Sequence, residues 1–251
     1  MPLDWTVLQV VLILFVATLV RSAFGFGEAL IAVPLLALTM PVEQAAPLAV
    51  LVSITIAFVI LLQDWRLVHM RSAGWLVLFT LMGIPLGLLL LRMVSESAVK
   101  AVLAAIIIGF STHALLGRHR HELKDDRFAW FFGFNAGVLG GAYGMNGPPL
   151  AIYGALRRWT PEYFRATLQA YFLPASAAGM AGYAIAGLWT PAVNHFYLFS
   201  LPGVLLASAL GRVLNRRMNA RRFIAYVYFG LTAIGLVLLI QAVRSWSRIL
   251  R

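Results

Sequence analysis

Gly140-Gly141-Ala142-Tyr143-Gly144-Met145-Asn146-Gly147-Pro148-Pro149-Leu150 interrupts an apolar stretch where a membrane helix would otherwise continue. The apolar runs on either side, 128–141 and 147–157, are each shorter than the about 20 residues that a bilayer crossing needs. Glycine admits left-handed backbone and close approach, whereas adjacent prolines cannot continue a helix but can open one. The stretch therefore predicts a broken membrane helix with a fresh N-terminus near Gly147. Amides at such an end carry partial positive charge, and at membrane depth they are tolerated only where they line a cavity or meet a ligand. A cavity of donors points to a small anion.

The rest of the chain supplies the membrane context. Of its 251 residues 61% are hydrophobic and 12% charged, with mean hydropathy +0.86, which places it in the all-α polytopic class and predicts the lipid bilayer as its surroundings. Apolar segments fall at 5–20, 27–39, 44–62, 73–91, 98–116, 128–141, 147–157, 164–186, 195–211 and 223–243. They leave room for one membrane transport domain spanning 1–251. Cysteine is absent, which rules out disulfides, thiolate metal sites and a cysteine nucleophile. Asp4 is the only charge before Arg21, so the start lacks a basic signal region and reads as a retained first span. The net charge of +11 does not indicate nucleic acid, because the cations sit in short clusters between apolar runs. Placing Arg21 and the loops 63–72, 117–127, 157–165 and 212–222 on one side collects 15 of the 20 Lys and Arg residues. By the positive-inside rule that side is cytoplasmic.

A repeat emerges when the glycine stretches are superimposed. Ala23-Phe24-Gly25-Phe26-Gly27 with Leu30 to Pro34 parallels Ala142-Tyr143-Gly144-Met145-Asn146 with Pro149 to Tyr153. Met40-Pro41-Val42-Glu43 parallels Thr160-Pro161-Glu162-Tyr163, and Gly83-Ile84-Pro85 parallels Ser200-Leu201-Pro202. The halves, about 1–116 and 128–251 around a loop at 117–127, then hold five segments each. An odd number inverts the second half relative to the first. Two inverted repeats with glycine- and proline-broken helices in matching positions are the pattern of secondary transporters, with substrate at the midplane between halves.

At these residues the chain resembles the TauE/SafE family of sulfite and organosulfonate permeases, also called the toluene sulfonate uptake permease family. The resemblance covers nearly the whole chain. It is carried by Gly25-Phe26-Gly27 leading to Pro34, and more specifically by Gly140 to Pro149 followed by Phe164-Arg165-Ala166-Thr167. The family's first motif commonly continues with glycines where Glu28 and Ala29 stand here. The resemblance implies a multi-pass inner-membrane permease moving small sulfur-containing anions such as sulfite, sulfonates or sulfoacetate. Neither cofactor nor metal is expected, and a homodimer is.

The candidate anion-binding residues are Gly25, Gly27, Tyr143, Gly144, Asn146, Gly147, Arg165 and Gln169. The Arg165 guanidinium offers a planar fork suited to oxyanions, or serves as a positive-inside anchor beside Arg157 and Arg158. Gln169, four residues later, shares its helical face. Glycines and Asn146 either donate to the substrate or allow tight helix packing. Glu28 is a candidate proton-coupling group or the partner of Arg21, seven residues earlier, since an unpaired carboxylate at membrane depth costs about 2.5–3.5 kcal/mol. His113, His119 and His121 read as loop or packing histidines more readily than as a metal site.

Three other functions compete with a secondary transporter. An intramembrane enzyme needs a convergent acid, base or nucleophile set, and no His-Glu-x-x-His motif occurs. A channel or a permease for carboxylates and other small anions has no excluding motif; a channel differs by conducting without saturation or counterflow. No Gly-x-x-x-x-Gly-Lys-Ser/Thr run is present to power a pump.

Overall fold

Each predicted break ends one helix and starts another. The computed structural model describes residues 5–36, 39–93 and 122–217, with scattered helical positions between 101 and 112 and between 226 and 244. Eight helices fill the continuous stretches: α1 Trp5–Phe24, α2 Glu28–Leu36, α3 Val42–Asp64, α4 Met70–Met93, α5 Ala129–Tyr143, α6 Gly147–Leu156, α7 Pro161–Ile185 and α8 Pro191–Arg216. No strand occurs among the described residues. The fold is an all-α polytopic membrane bundle, with four helices long and apolar enough to cross a bilayer, within Trp5–Phe24, Glu43–Leu67, Met70–Leu90 and Pro191–Arg216. The fifth segment expected in each half, 98–116 and 223–243, lies largely outside the described residues.

α5 stops at a left-handed Gly144 (φ +66°) whose N–H bonds to Gly140 O at 2.9 Å, and Met145 N reaches back to Leu139 O at 3.3 Å. This is the glycine-terminated C-cap that satisfies a helix's last carbonyls. Gly147-Pro148-Pro149 then opens α6, where proline's missing N–H costs nothing. In the first half, Gly25 (φ +87°) and Gly27 (φ +100°) carry the chain from α1 into α2. α7 and α8 start at Thr160-Pro161 and Thr190-Pro191, three to four residues before the apolar segments that predicted them. The threonine–proline pair extends each helix past its apolar stretch.

α4 crosses α5 closely because glycines line the seam on both sides. A Cβ at Gly133 would stand 2.6 Å from Leu76 O, and one at Gly83 would stand 2.9 Å from Val138 N. Close backbone approach through small residues is how membrane helices gain packing energy where no hydrophobic force separates helix from lipid. α1 packs on α8 similarly, with Gly211 against Ser22. α3 crosses α7 at the centre, where Ser53 and Ser176 hydroxyls lie 3.0 Å apart. The short helices α2 and α6 pack against α1 and α5 respectively.

One end of the bundle collects the charged termini. Asp64 at the end of α3, Arg165 in the first turns of α7 and Arg212 near the end of α8 meet there. Asp126, just before α5, accepts from Ser72 of α4 at 2.6 Å and lies 3.7 Å from Arg157 after α6. The stretches expected to share a basic side are therefore neighbours in space.

Candidate functional site

The last carbonyls of α1 lack helical partners because the chain breaks at Gly25, and bare carbonyls inside a bundle must find donors. Side chains from the other half supply them. Arg165 Nε donates to Ser22 O at 2.9 Å, Asn215 Nδ2 to Ala23 O at 2.7 Å and Gln169 Nε2 to Gly25 O at 2.9 Å. The break is thus built into the tertiary structure and cannot be a frayed end.

Arg21, one turn before the break, is 2% exposed. Its Nη1 pairs with the Glu28 carboxylate at the start of α2 and donates to Ser53 Oγ at 2.6 Å, while Nε and Nη2 donate to Gln169 Oε1 at 3.2 and 2.8 Å. The guanidinium also lies over the Phe172 ring, 4.5 Å from its centroid, a placement that favours a desolvated cation. Of the Glu28 carboxylate, Oε2 holds Arg21 and Oε1 is buried without a partner among the described residues.

A cavity opens beside this pair. It holds about 20 Å³ of space for water centres and is lined by Arg21, Gly27, Glu28, Ala29, Leu30, Ser53, Gly144, Asn146, Gly147 and Phe172, room for about one water-sized group. The two breaks meet across it, since a Cβ at Gly147 would lie 3.8 Å from Gly27 N. The starts of α2 and α6 share the cavity with one guanidinium, which is the chemistry of an oxyanion cradle. A smaller cavity of about 10 Å³ shares Gly144 and Asn146 and continues toward Thr80 and Ser176.

The predicted residues divide around this centre. Gly27, Gly144, Asn146, Gly147, Arg21 and Glu28 line the cavity, Gln169 stands one hydrogen bond behind it and the Gly25 carbonyl two. Arg165 does not line it. That guanidinium pairs with Asp64, which also receives Arg212 Nη2 at 3.2 Å, and its Nη2 is buried without a partner among the described residues. The backbone of Tyr143 closes α5, while its side chain lies outside the described residues, as do His113, His119 and His121. Phe172, Ser53 and Asp64 carry no local signal in the sequence that marks them as part of the site. Asp64 falls within the loop expected at 63–72, whereas α3 extends to include it as its last residue.

Outside the spans, Asp126 shows how the basic end is held. Burial disfavours its charge, but hydrogen bonds from Ser72 and Tyr153, with Arg157 and His69 nearby, outweigh that and keep its carboxyl below the usual carboxylate range.

The model for the sulfite exporter TauE/SafE family matches residues 10–238. A curated protein of Cupriavidus necator, described as a probable sulfite/organosulfonate exporter, is 26% identical over 187 residues, 73% of this chain and 71% of that protein. No solved structure matches. The family match takes in both helix breaks and the cavity between them, and the chain belongs to the TauE/SafE sulfite exporter family.

Proposed function

We propose that the protein is a secondary transporter of small sulfur-containing anions, of the sulfite, sulfonate or sulfoacetate class, in the inner (plasma) membrane. The observation that carries this reading is that both helix breaks border one cavity with a buried guanidinium. An oxyanion there meets the exposed amides of α2 and α6, the Asn146 amide and, at the centre, Arg21. The guanidinium in contact with substrate is thus Arg21, and Arg165 acts behind it by holding Ser22 O at the end of α1.

Two halves of opposite sense explain why a single site arises. With α1 to α4 set against α5 to α8, packing partners exchange: α4 on α5 corresponds to α8 on α1, and α4 on α7 to α8 on α3. At the end marked by Asp64, Arg165, Arg212 and Asp126, helices α1, α3 and α8 finish while α4, α5 and α7 begin. In the pairs α1/α5, α3/α7 and α4/α8, one helix ends there and one starts. The basic loops at that end favour a cytoplasmic assignment. Movement of one half against the other would open the cavity to alternate sides.

Counterflow into proteoliposomes tests the reading. Vesicles preloaded with sulfite or methanesulfonate should accumulate labelled anion transiently and saturably, whereas acetate should not exchange. Linear flux without counterflow would mean a channel, and absence of flux for every sulfur anion would remove the proposal.

A further inference from the structure

Resting on that reading, we infer that Glu28 is a resident anion that occupies the substrate's place on Arg21, and that substrate binds by displacing it as the carboxylate takes up a proton. Four of the five Arg21 N–H groups are engaged: both on Nη1, by Glu28 and Ser53, and one each on Nε and Nη2, by Gln169. An incoming oxyanion can take the two-pronged grip that a guanidinium offers only by releasing one of these partners. Gln169 is fixed from its other end by Gly25 O and belongs to the support of the break. Glu28 is the one that can leave, because its Oε1 is without a partner among the described residues and the residue itself lines the cavity.

Charge decides what happens next. The resting pair is neutral, a guanidinium against a carboxylate. Adding a sulfonate to an ionised pair would leave a net negative charge in a site where both residues are only 2% exposed, whereas burial tolerates charges only when paired. No neighbour can absorb that charge. The groups that share the cavity with Glu28 include Arg21 from α1, Ser53 from α3, Asn146 in the break before α6 and Phe172 from α7, with Gln169 and Ser176 of α7 one hydrogen bond beyond Arg21 and Ser53; Arg21 is the single charged one besides Glu28 among the described residues. Proton transfer from water to a Glu28 oxygen restores neutrality: Nη1 exchanges the carboxylate for a sulfonate oxygen, and the site holds guanidinium, anion and a neutral carboxyl. Each monovalent anion then travels with one proton, electroneutrally. The carboxyl gains an O–H that can donate to the bound anion or to Ser53 Oγ.

Methanesulfonate is the probe, since its charge is fixed across the range from neutral to mildly acidic pH and any pH effect belongs to the protein. Purified protein in weakly buffered detergent should take up close to one proton per methanesulfonate bound, with affinity weakening about tenfold per pH unit on the alkaline side. Glu28→Gln mimics the protonated carboxyl and should bind at the acid-limit affinity at every pH with no proton uptake. Binding by the wild type without proton uptake, or proton uptake retained in Glu28→Gln, would overturn the inference and leave the transport reading standing. Failure of the wild type to bind methanesulfonate, sulfite or sulfoacetate at any pH would remove both.

Discussion

Arg21 and Gln169, 148 positions apart in sequence, are joined by two hydrogen bonds, from Nη2 at 2.8 Å and Nε at 3.2 Å to the same amide oxygen. The amide nitrogen of Gln169 completes the link by donating to Gly25 O at 2.9 Å. One α7 side chain thus fixes both the guanidinium and the break that positions it. A leucine at this position would leave two guanidinium donors and one carbonyl bare in a dry interior, each orphaned group costing about 1–3 kcal/mol. Gln169→Leu should lower the thermal midpoint and weaken methanesulfonate binding together; an unchanged midpoint would contradict the assignment.

Arg165→Ala separates structural from binding roles. Asp64 would keep Arg212 as a partner, so the loss should fall below the about 3–5 kcal/mol typical of a fully broken buried pair. Stability and transport rate should fall, while methanesulfonate affinity should change less than about threefold, under 1 kcal/mol. An affinity loss of tenfold or more would return Arg165 to the substrate.

The α4–α5 seam predicts intolerance of even one methyl group. Gly133→Ala would push a Cβ against Leu76 O, and Thr80 Oγ1, which donates to Gly133 O at 2.8 Å, would lose its geometry. Overpacking of this kind costs about 1–3 kcal/mol. Fluorescence-detected unfolding should show the drop, with Gly74→Ala, where nothing lies within 4 Å of the added Cβ, as the silent control.

Much of this centre was legible in the sequence because a broken helix announces itself locally. Gly25-Phe26-Gly27 and Gly144 to Pro149 carry their own conformational demands, so both breaks could be read without coordinates. The Arg21–Glu28 pair was legible too, since seven residues bring two charges together across a break. Partners from distant helices were not. Arg165 and Asp64 are 101 positions apart, and Arg212 is 148 from Asp64; periodicity tells which face a residue occupies, never which helix covers that face. Hence Arg165 read as the substrate's guanidinium while Arg21 lines the cavity. Ser53 carries no local signal for the same reason, since its role comes from Arg21 and Ser176.

Asp126 predicts a pH dependence confined to the basic end. Its carboxyl ionises more readily folded than unfolded, so it contributes stability that is fully present above the unfolded value of about 3.9 and lost as pH falls through the lower folded value. Unfolding midpoints of the wild type should therefore decline below about pH 4. Asp126→Asn should start lower and show a shallower decline over that window. Parallel curves would show that the Ser72–Asp126–Tyr153 contact stabilises nothing.

The location of the bound anion tests the account most directly. Crystals grown with 2-bromoethanesulfonate would mark the ligand by bromine anomalous scattering. The account predicts a peak beside the cavity bounded by Gly27 to Leu30 and Gly144 to Gly147, with the sulfonate on Arg21; a peak beside Arg165 and Asp64, with that cavity unchanged, would contradict it.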